Sequence, residues 1–137
     1  KYYKPELPLN LTKYLFKFAN SSIDVSDGLI DDLAKMINRQ SLSFHLFENK
    51  IPVSNKLSNL IKKQRLNKIN LISNGDDYQV LFTADIKKAR IIQKASKTTG
   101  IKITKIGKIV SGKDRSLIFD EKGKQIRAKS KGYIHRF

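Results

Sequence analysis

Cysteine is absent from this chain of 137 residues, so disulfides and thiolate metal sites are excluded. Acids are scarce: 12 Asp and Glu stand against 28 Lys and Arg, a net charge of +16. No apolar run approaches the ~18 residues of a membrane-spanning helix, and no membrane partner is expected. The first residues, Lys1-Tyr2-Tyr3-Lys4-Pro5, are polar and lack the apolar centre of a secretory leader. A cytoplasmic location is the expectation. The chain opens on Lys1 and enters at once on an extended segment holding Pro5 and Pro8, which reads as a domain excised from a longer polypeptide. His45 and His135 have neither an H-x-x-H pattern nor a Cys partner, which argues against zinc. There is no Walker loop, no Gly-rich dinucleotide motif, no internal repeat and no low-complexity tract.

The basic surplus has two readings. A positive surface attracts phosphate backbones, but here the basic residues are spread along the whole chain and Lys far outnumbers Arg. No reader motif or aromatic-interleaved single-strand pattern accompanies them. A solvated, Lys-biased surface accounts for the charge, and a nucleic-acid partner is not expected.

Against that background one stretch stands out, Ser21-Ser22-Ile23-Asp24-Val25-Ser26-Asp27-Gly28-Leu29-Ile30-Asp31-Asp32-Leu33. Like charges this close repel unless a cation, a basic partner or water compensates them. Leu29, Ile30, Leu33, Met36 and Ile37 recur at helical spacing, predicting a helix from about Asp27 or Gly28 to Asn38 or Arg39. Ile23 and Val25 predict a short strand before it. Asp24, Ser26 and Asp27 then sit at a strand-to-helix corner, where N–H groups suit phosphate and side-chain oxygens suit magnesium. Ser and Asp are also ordinary helix-capping residues, so capping and metal–phosphate binding are both open at this corner. Asp31 and Asp32 read as first-turn acids favourable to the helix dipole. An EF-hand loop does not fit the spacing. Ser26 lacks a nucleophile-elbow context, and no catalytic side chain is nominated.

The rest of the chain predicts an amphipathic helix over 10–19, a strand over 43–47, and a short helix carrying Leu57, Leu60 and Ile61 behind a Ser54 cap. A basic exposed connection over 62–68 follows. Asn74-Gly75 marks a turn before Asp76-Asp77 and a strand holding Tyr78, Val80 and Phe82. Gly75-Asp76-Asp77 is either a solvated hairpin entry or a second acidic pole of the same site. Asp85 caps a helix ending before Gly100. A strand over 101–110, kinked at Gly107, another over 116–119 and a turn at Asp120-Glu121-Lys122-Gly123 complete the pattern. Helices and strands mix without regular βαβ alternation, which predicts an α+β fold with a mixed, mostly antiparallel sheet covered by helices.

Four segments carry a family resemblance. Ile23-Asp24-Val25-Ser26-Asp27-Gly28-Leu29 resembles the signature of the thiamine-monophosphate kinases, of the aminoimidazole-ribonucleotide (AIR) synthase-related superfamily. Asn74-Gly75-Asp76-Asp77-Tyr78-Gln79-Val80-Leu81-Phe82-Thr83 is similar to that family's G-G-E-D-Y-E-L-L-F-T. Thr104-Lys105-Ile106-Gly107-Lys108-Ile109 is similar to its I-G-x-[IV] strand, and Gly132-Tyr133-Ile134-His135-Arg136-Phe137 to its closing G-Y-D-H-F. The resemblance implies that residues 1–137 form the family's C-terminal domain, without the N-terminal ATP-binding domain. The implied activity is ATP-dependent phosphorylation of thiamine phosphate to thiamine diphosphate, by a full-length enzyme expected to be a homodimer. The isolated domain is not expected to be a competent kinase. By the same resemblance, Asp24 and Asp27 bind Mg²⁺, Ser26 contacts ATP, and Asp76 and Tyr133 contact the thiamine substrate. The alternatives are another ATP-dependent synthetase of the superfamily or a basic nucleic-acid-binding module.

Overall fold

The computed structural model describes residues 9–38, 40–73 and 79–128. Leu11, Tyr14, Leu15 and Phe18 recur along one face of α1 (Leu9–Phe18), and Leu11 and Phe18 are buried. The chain passes without a loop into β1 (Ala19–Asp24), whose exposure alternates residue by residue. This strand begins earlier than Ile23 and Val25 indicate. Its first half, Ala19-Asn20-Ser21-Ser22, is polar and is recruited by pairing. β1 runs antiparallel to β3 (Val80–Ala84), with Ile23 opposite Leu81 and Asp24 opposite Val80. The hydroxyls of Ser21 and Thr83 are 2.7 Å apart across the pair.

A second sheet has the order β4-β2-β5-β6, formed by β2 (Leu42–Phe47), β4 (Gly107–Ser111), β5 (Leu117–Phe119) and β6 (Gln125–Ile126). β2 is antiparallel to β4 and parallel to β5, and β5 is antiparallel to β6. The expected α+β class and mixed, mostly antiparallel pairing hold, divided between two sheets.

Two hydrophobic clusters follow from this arrangement. In the first, α2 (Leu29–Met36) lays Leu29, Ile30 and Leu33 against Phe44, Leu46 and Ile118 of the four-stranded sheet. In the second, α1 and α5 (Ala89–Thr99) pack Leu11, Phe18 and Ala95 with Phe82, Ile101 and Ile103. The rings of Phe18 and Phe82 lie 5.2 Å apart. The opposite face of the four-stranded sheet is half-buried and carries His45, Phe47 and Phe119, with the Lys50 ammonium 4.7 Å from the Phe47 ring centre.

Local signals decide most element ends. Ser54 accepts a hydrogen bond from the Leu57 N–H and opens α3 (Asn55–Gln64). Asp85 accepts from the Lys87 N–H, and Gly100 closes α5 at φ +69°. In the turn after β5, Asp120 accepts from the N–H groups of Lys122 and Lys124.

Two expectations hold only in part. Residues 62–68 are largely exposed, as expected, but they are not one connection: Lys62 and Lys63 belong to α3, and the half-buried Lys68 starts α4 (Lys68–Ile72). The half-buried Lys68 ammonium donates to the carbonyls of Glu48 and Ile51, both at 2.7 Å, and desolvation lowers its pKa. The strand over 101–110 also shrinks to β4. Ile101 and Ile103 pack into the second cluster whereas Ile106 and Ile109 pack against the first, so the apolar spacing reflects two surfaces rather than one sheet face. No described helix is long and apolar enough to cross a membrane.

Gly107 carries the first test of this packing. A Cβ there would lie 2.3 Å from the backbone oxygen of His45. Gly107→Ala is expected to cost about 3 kcal/mol in urea denaturation. Gly123→Ala, strained at φ +77° but facing open space, is expected to cost only about 1–2 kcal/mol.

Candidate cation site at the strand-to-helix corner

β1 delivers Asp24 to its exposed end, and Val25, buried in the first cluster, pins the chain as it leaves the sheet. Ser26 and Asp27 follow, half-buried. Gly28 then takes φ 132° and ψ 145° as the N-cap of α2, a backbone region that favours glycine. The N-cap position itself, a glycine, brings no side-chain oxygen to the helix end.

The turn is held from the other direction. Asp32 is only 1% exposed. Its Oδ2 accepts three consecutive backbone N–H groups, from Ser26 at 2.9 Å, Asp27 at 3.0 Å and Gly28 at 3.1 Å. The expectation that Asp32 is a plain first-turn acid is therefore corrected: it ties the corner to the helix. The expectation that these N–H groups suit phosphate is corrected with it, because the chain's own carboxylate fills the place an anion would take.

Asp32 was legible in principle. Leu29, Asp32, Leu33 and Met36 share the apolar face of α2 by spacing, and a buried acid one turn into a helix can reach back to the cap, as in a capping box.

Three carboxylates converge beside this turn. Oxygens of Asp27, Asp31 and Asp32 all lie within 4.8 Å of one another, and among the described residues they form the one group of three or more possible metal-ligating side chains. The Lys35 ammonium donates to Asp27, reaches Asp31 at 2.7 Å and Asp32 Oδ1 at 3.2 Å. These bonds, above all the one to Asp27, hold the Lys35 pKa above the ordinary lysine range. The ammonium stands where a small cation would, and the donors are the hard oxygens that magnesium takes; the residues present fit that ion. Asp24 is exposed and is not a member of the group. Asp76 and Tyr133 lie outside the described residues. A surface depression of ≈ 480 Å³ lies along α3, lined by Lys56, Asn59, Leu60, Lys62 and Lys63. It offers no carboxylate, so the chemistry is placed at the corner instead.

No protein-family model matches the chain. A curated relative does: the thiamine-monophosphate kinase of Buchnera aphidicola subsp. Acyrthosiphon pisum is 35% identical over 122 residues, 88% of this chain and 37% of the relative. The chain is a homologue of the thiamine-monophosphate kinases. Among solved structures, the thiamine-monophosphate kinase of Stenotrophomonas maltophilia K279a superposes with a TM-score of 0.73 at 26% identity, covering 89% of this chain and 37% of that one. AaThiL complexed with AMPPCP and TMP superposes with a TM-score of 0.64 at 29% identity, covering 90% of this chain and 36% of that one. The chain spans between 28% and 41% of the length of four curated thiamine-monophosphate kinases that it matches.

Two outcomes test the corner's energetics. Asp32→Ala strands three N–H groups and is expected to cost about 3–5 kcal/mol in urea denaturation, whereas Asp24→Asn at its exposed position stays within about 0.5 kcal/mol of the wild type. The Lys35 pairing also fixes a pH dependence. A lysine pKa raised on folding contributes stability fully below its unfolded value, about 10.4, and loses it as pH climbs through the raised folded value. The stability gap between wild type and Lys35→Met should therefore hold steady from neutral pH to about pH 10 and narrow only above it.

Proposed function

We propose that this chain is the C-terminal domain of an ATP- and magnesium-dependent kinase that converts thiamine phosphate to thiamine diphosphate. The observation that carries the reading is the corner itself: in a chain of net charge +16, Asp27, Asp31 and Asp32 gather around a single ammonium. Homology to thiamine-monophosphate kinases supports the substrate assignment, as does the likeness to a structure complexed with AMPPCP and TMP.

The chemistry asks for what the corner offers. A phosphate monoester is largely dianionic at neutral pH, its second pKa being about 6, so the acceptor needs little deprotonation. The obstacle is bringing two polyanions together. Magnesium, when bound, would neutralise and align the phosphate oxygens. Asp27 is the ligand that the geometry supports best, with Asp24 entering from the exposed end of β1. Ser26, fixed between them, would contact ATP, and Asp76 and Tyr133 would contact the substrate. The ring of Tyr133 suits the cationic thiazolium. The whole enzyme, with an N-terminal domain as a homodimer in the cytoplasm, belongs to the same proposal.

In the full-length polypeptide, magnesium with ATP and thiamine phosphate should each raise the melting temperature. Asp24→Asn and Asp27→Asn should each lower kcat by about 100-fold or more, ~2.7 kcal/mol of transition-state stabilisation, with melting temperatures close to wild type. Undiminished turnover of both variants at saturating magnesium would overturn the site assignment. Stabilisation by a different phosphorylated metabolite, and none by thiamine phosphate, would instead mark another ATP-dependent synthetase of the superfamily.

A further inference from the structure

Three consecutive N–H groups that converge on one point form an anion-binding concavity. At the corner the converging donors are Ser26, Asp27 and Gly28, and the anion is Asp32 Oδ2, at 2.9–3.1 Å. The carboxylate is 1% exposed, and its other oxygen faces the Lys35 ammonium at 3.2 Å. Both oxygens are therefore committed within the protein. Asp31 presents a contrast: it is half-buried, pairs with Lys35 at 2.7 Å, and holds no N–H of the turn.

From this geometry we infer that Asp32 is a positioning residue. It fixes the Ser26–Gly28 turn so that Asp27 meets a divalent cation, and it fills the turn's N–H concavity so that a free phosphate cannot. The inference rests on the reading of Asp27 as a metal ligand. The corner thereby takes cations and reaches phosphate only through them. An amide at position 32 still accepts hydrogen bonds through its oxygen, but more weakly than a carboxylate. Its NH₂ would also turn a donor towards Lys35. The turn then loosens without the removal of bulk, and loss of such an outer support typically weakens a metal site by about 10–100-fold.

The test measures Mn²⁺ binding by electron paramagnetic resonance in wild type, Asp32→Asn and Asp31→Asn, each in the full-length polypeptide. Asp31→Asn removes the same charge from the same group and touches no backbone donor. The expected result is an affinity loss of about tenfold or more for Asp32→Asn and about threefold or less for Asp31→Asn. Equal losses would reduce Asp32 to a charge and overturn the positioning role. Wild-type binding that Asp32→Asn leaves unchanged overturns this inference alone. Failure of the wild type to bind Mn²⁺ overturns the metal reading and this inference with it. A second measurement needs no variant. In the wild type, the amide resonances of Ser26, Asp27 and Gly28 should be protected from hydrogen exchange and should stay in place when inorganic phosphate is added without metal. Rapid exchange, or displacement by phosphate, would show the concavity to be open and would also overturn the proposal.

Discussion

A single buried carboxylate, Asp32, holding three backbone N–H groups is the constraint on which the corner depends. Burying a charged group is expensive unless its lone pairs are satisfied. Here the cost is offset by three charge-assisted hydrogen bonds and by Lys35. The result is a rigid link between the end of β1 and the first turn of α2. Because α2 carries Leu29, Ile30 and Leu33 into the first hydrophobic cluster, the link also fixes how the strand stands relative to the four-stranded sheet. The acids at the corner thus inherit their positions from the core.

The corner lies where two packed units meet. α1 runs directly into β1, so Phe18 and Ala19 belong to the second cluster, while Val25, six residues beyond Ala19, belongs to the first. β3 repeats the pattern: Leu81 packs against the first cluster and Phe82 against the second. Neighbouring side chains of a strand face opposite ways, so the β1–β3 ribbon is held between two apolar surfaces. A polar turn that leaves such a ribbon is restrained from both sides before any ligand arrives. That pre-payment of ordering is what a binding site needs.

Elements whose signal is local could be read directly from the residues. The Ser54 cap, the Gly100 terminus, the Asp120–Gly123 turn and the apolar faces of α1 and α2 depend on near neighbours in sequence, and each appears as expected. Asp85 caps not α5 itself but the three-residue 3₁₀ turn, Ile86–Lys88, that leads into it. What could not be read depends on distant partners. The polar start of β1 becomes a strand because Thr83 and Ala84 lie opposite. Lys68 is drawn inward by two carbonyls some twenty residues earlier. Ile101 and Ile103 look like a strand but answer to a different cluster from Ile109. At the site, composition singled out the acid-rich stretch, and the structure brings Asp27 together with Asp31 and Asp32. Composition alone could not assign the acids their separate tasks, because Asp31 and Asp32 are adjacent and chemically identical. Helical spacing separates them: Asp32 shares the apolar face of α2 with Leu29, Leu33 and Met36 and is buried, whereas Asp31 is half-buried.

Rationing explains the pattern. With 12 acids in the whole chain, three are spent within one small group, one of them as scaffold. The central claim is that Asp27 takes a divalent cation on a turn that Asp32 anchors from within. Its most direct measurement is anomalous diffraction from crystals of the protein grown with manganese and a non-hydrolysable ATP analogue. The account expects a peak at coordination distance from an Asp27 oxygen, with Asp32 still on the N–H groups of Ser26, Asp27 and Gly28. A metal bound elsewhere while Lys35 keeps Asp27, or an Asp32 that has left the backbone to become a ligand itself, would contradict it.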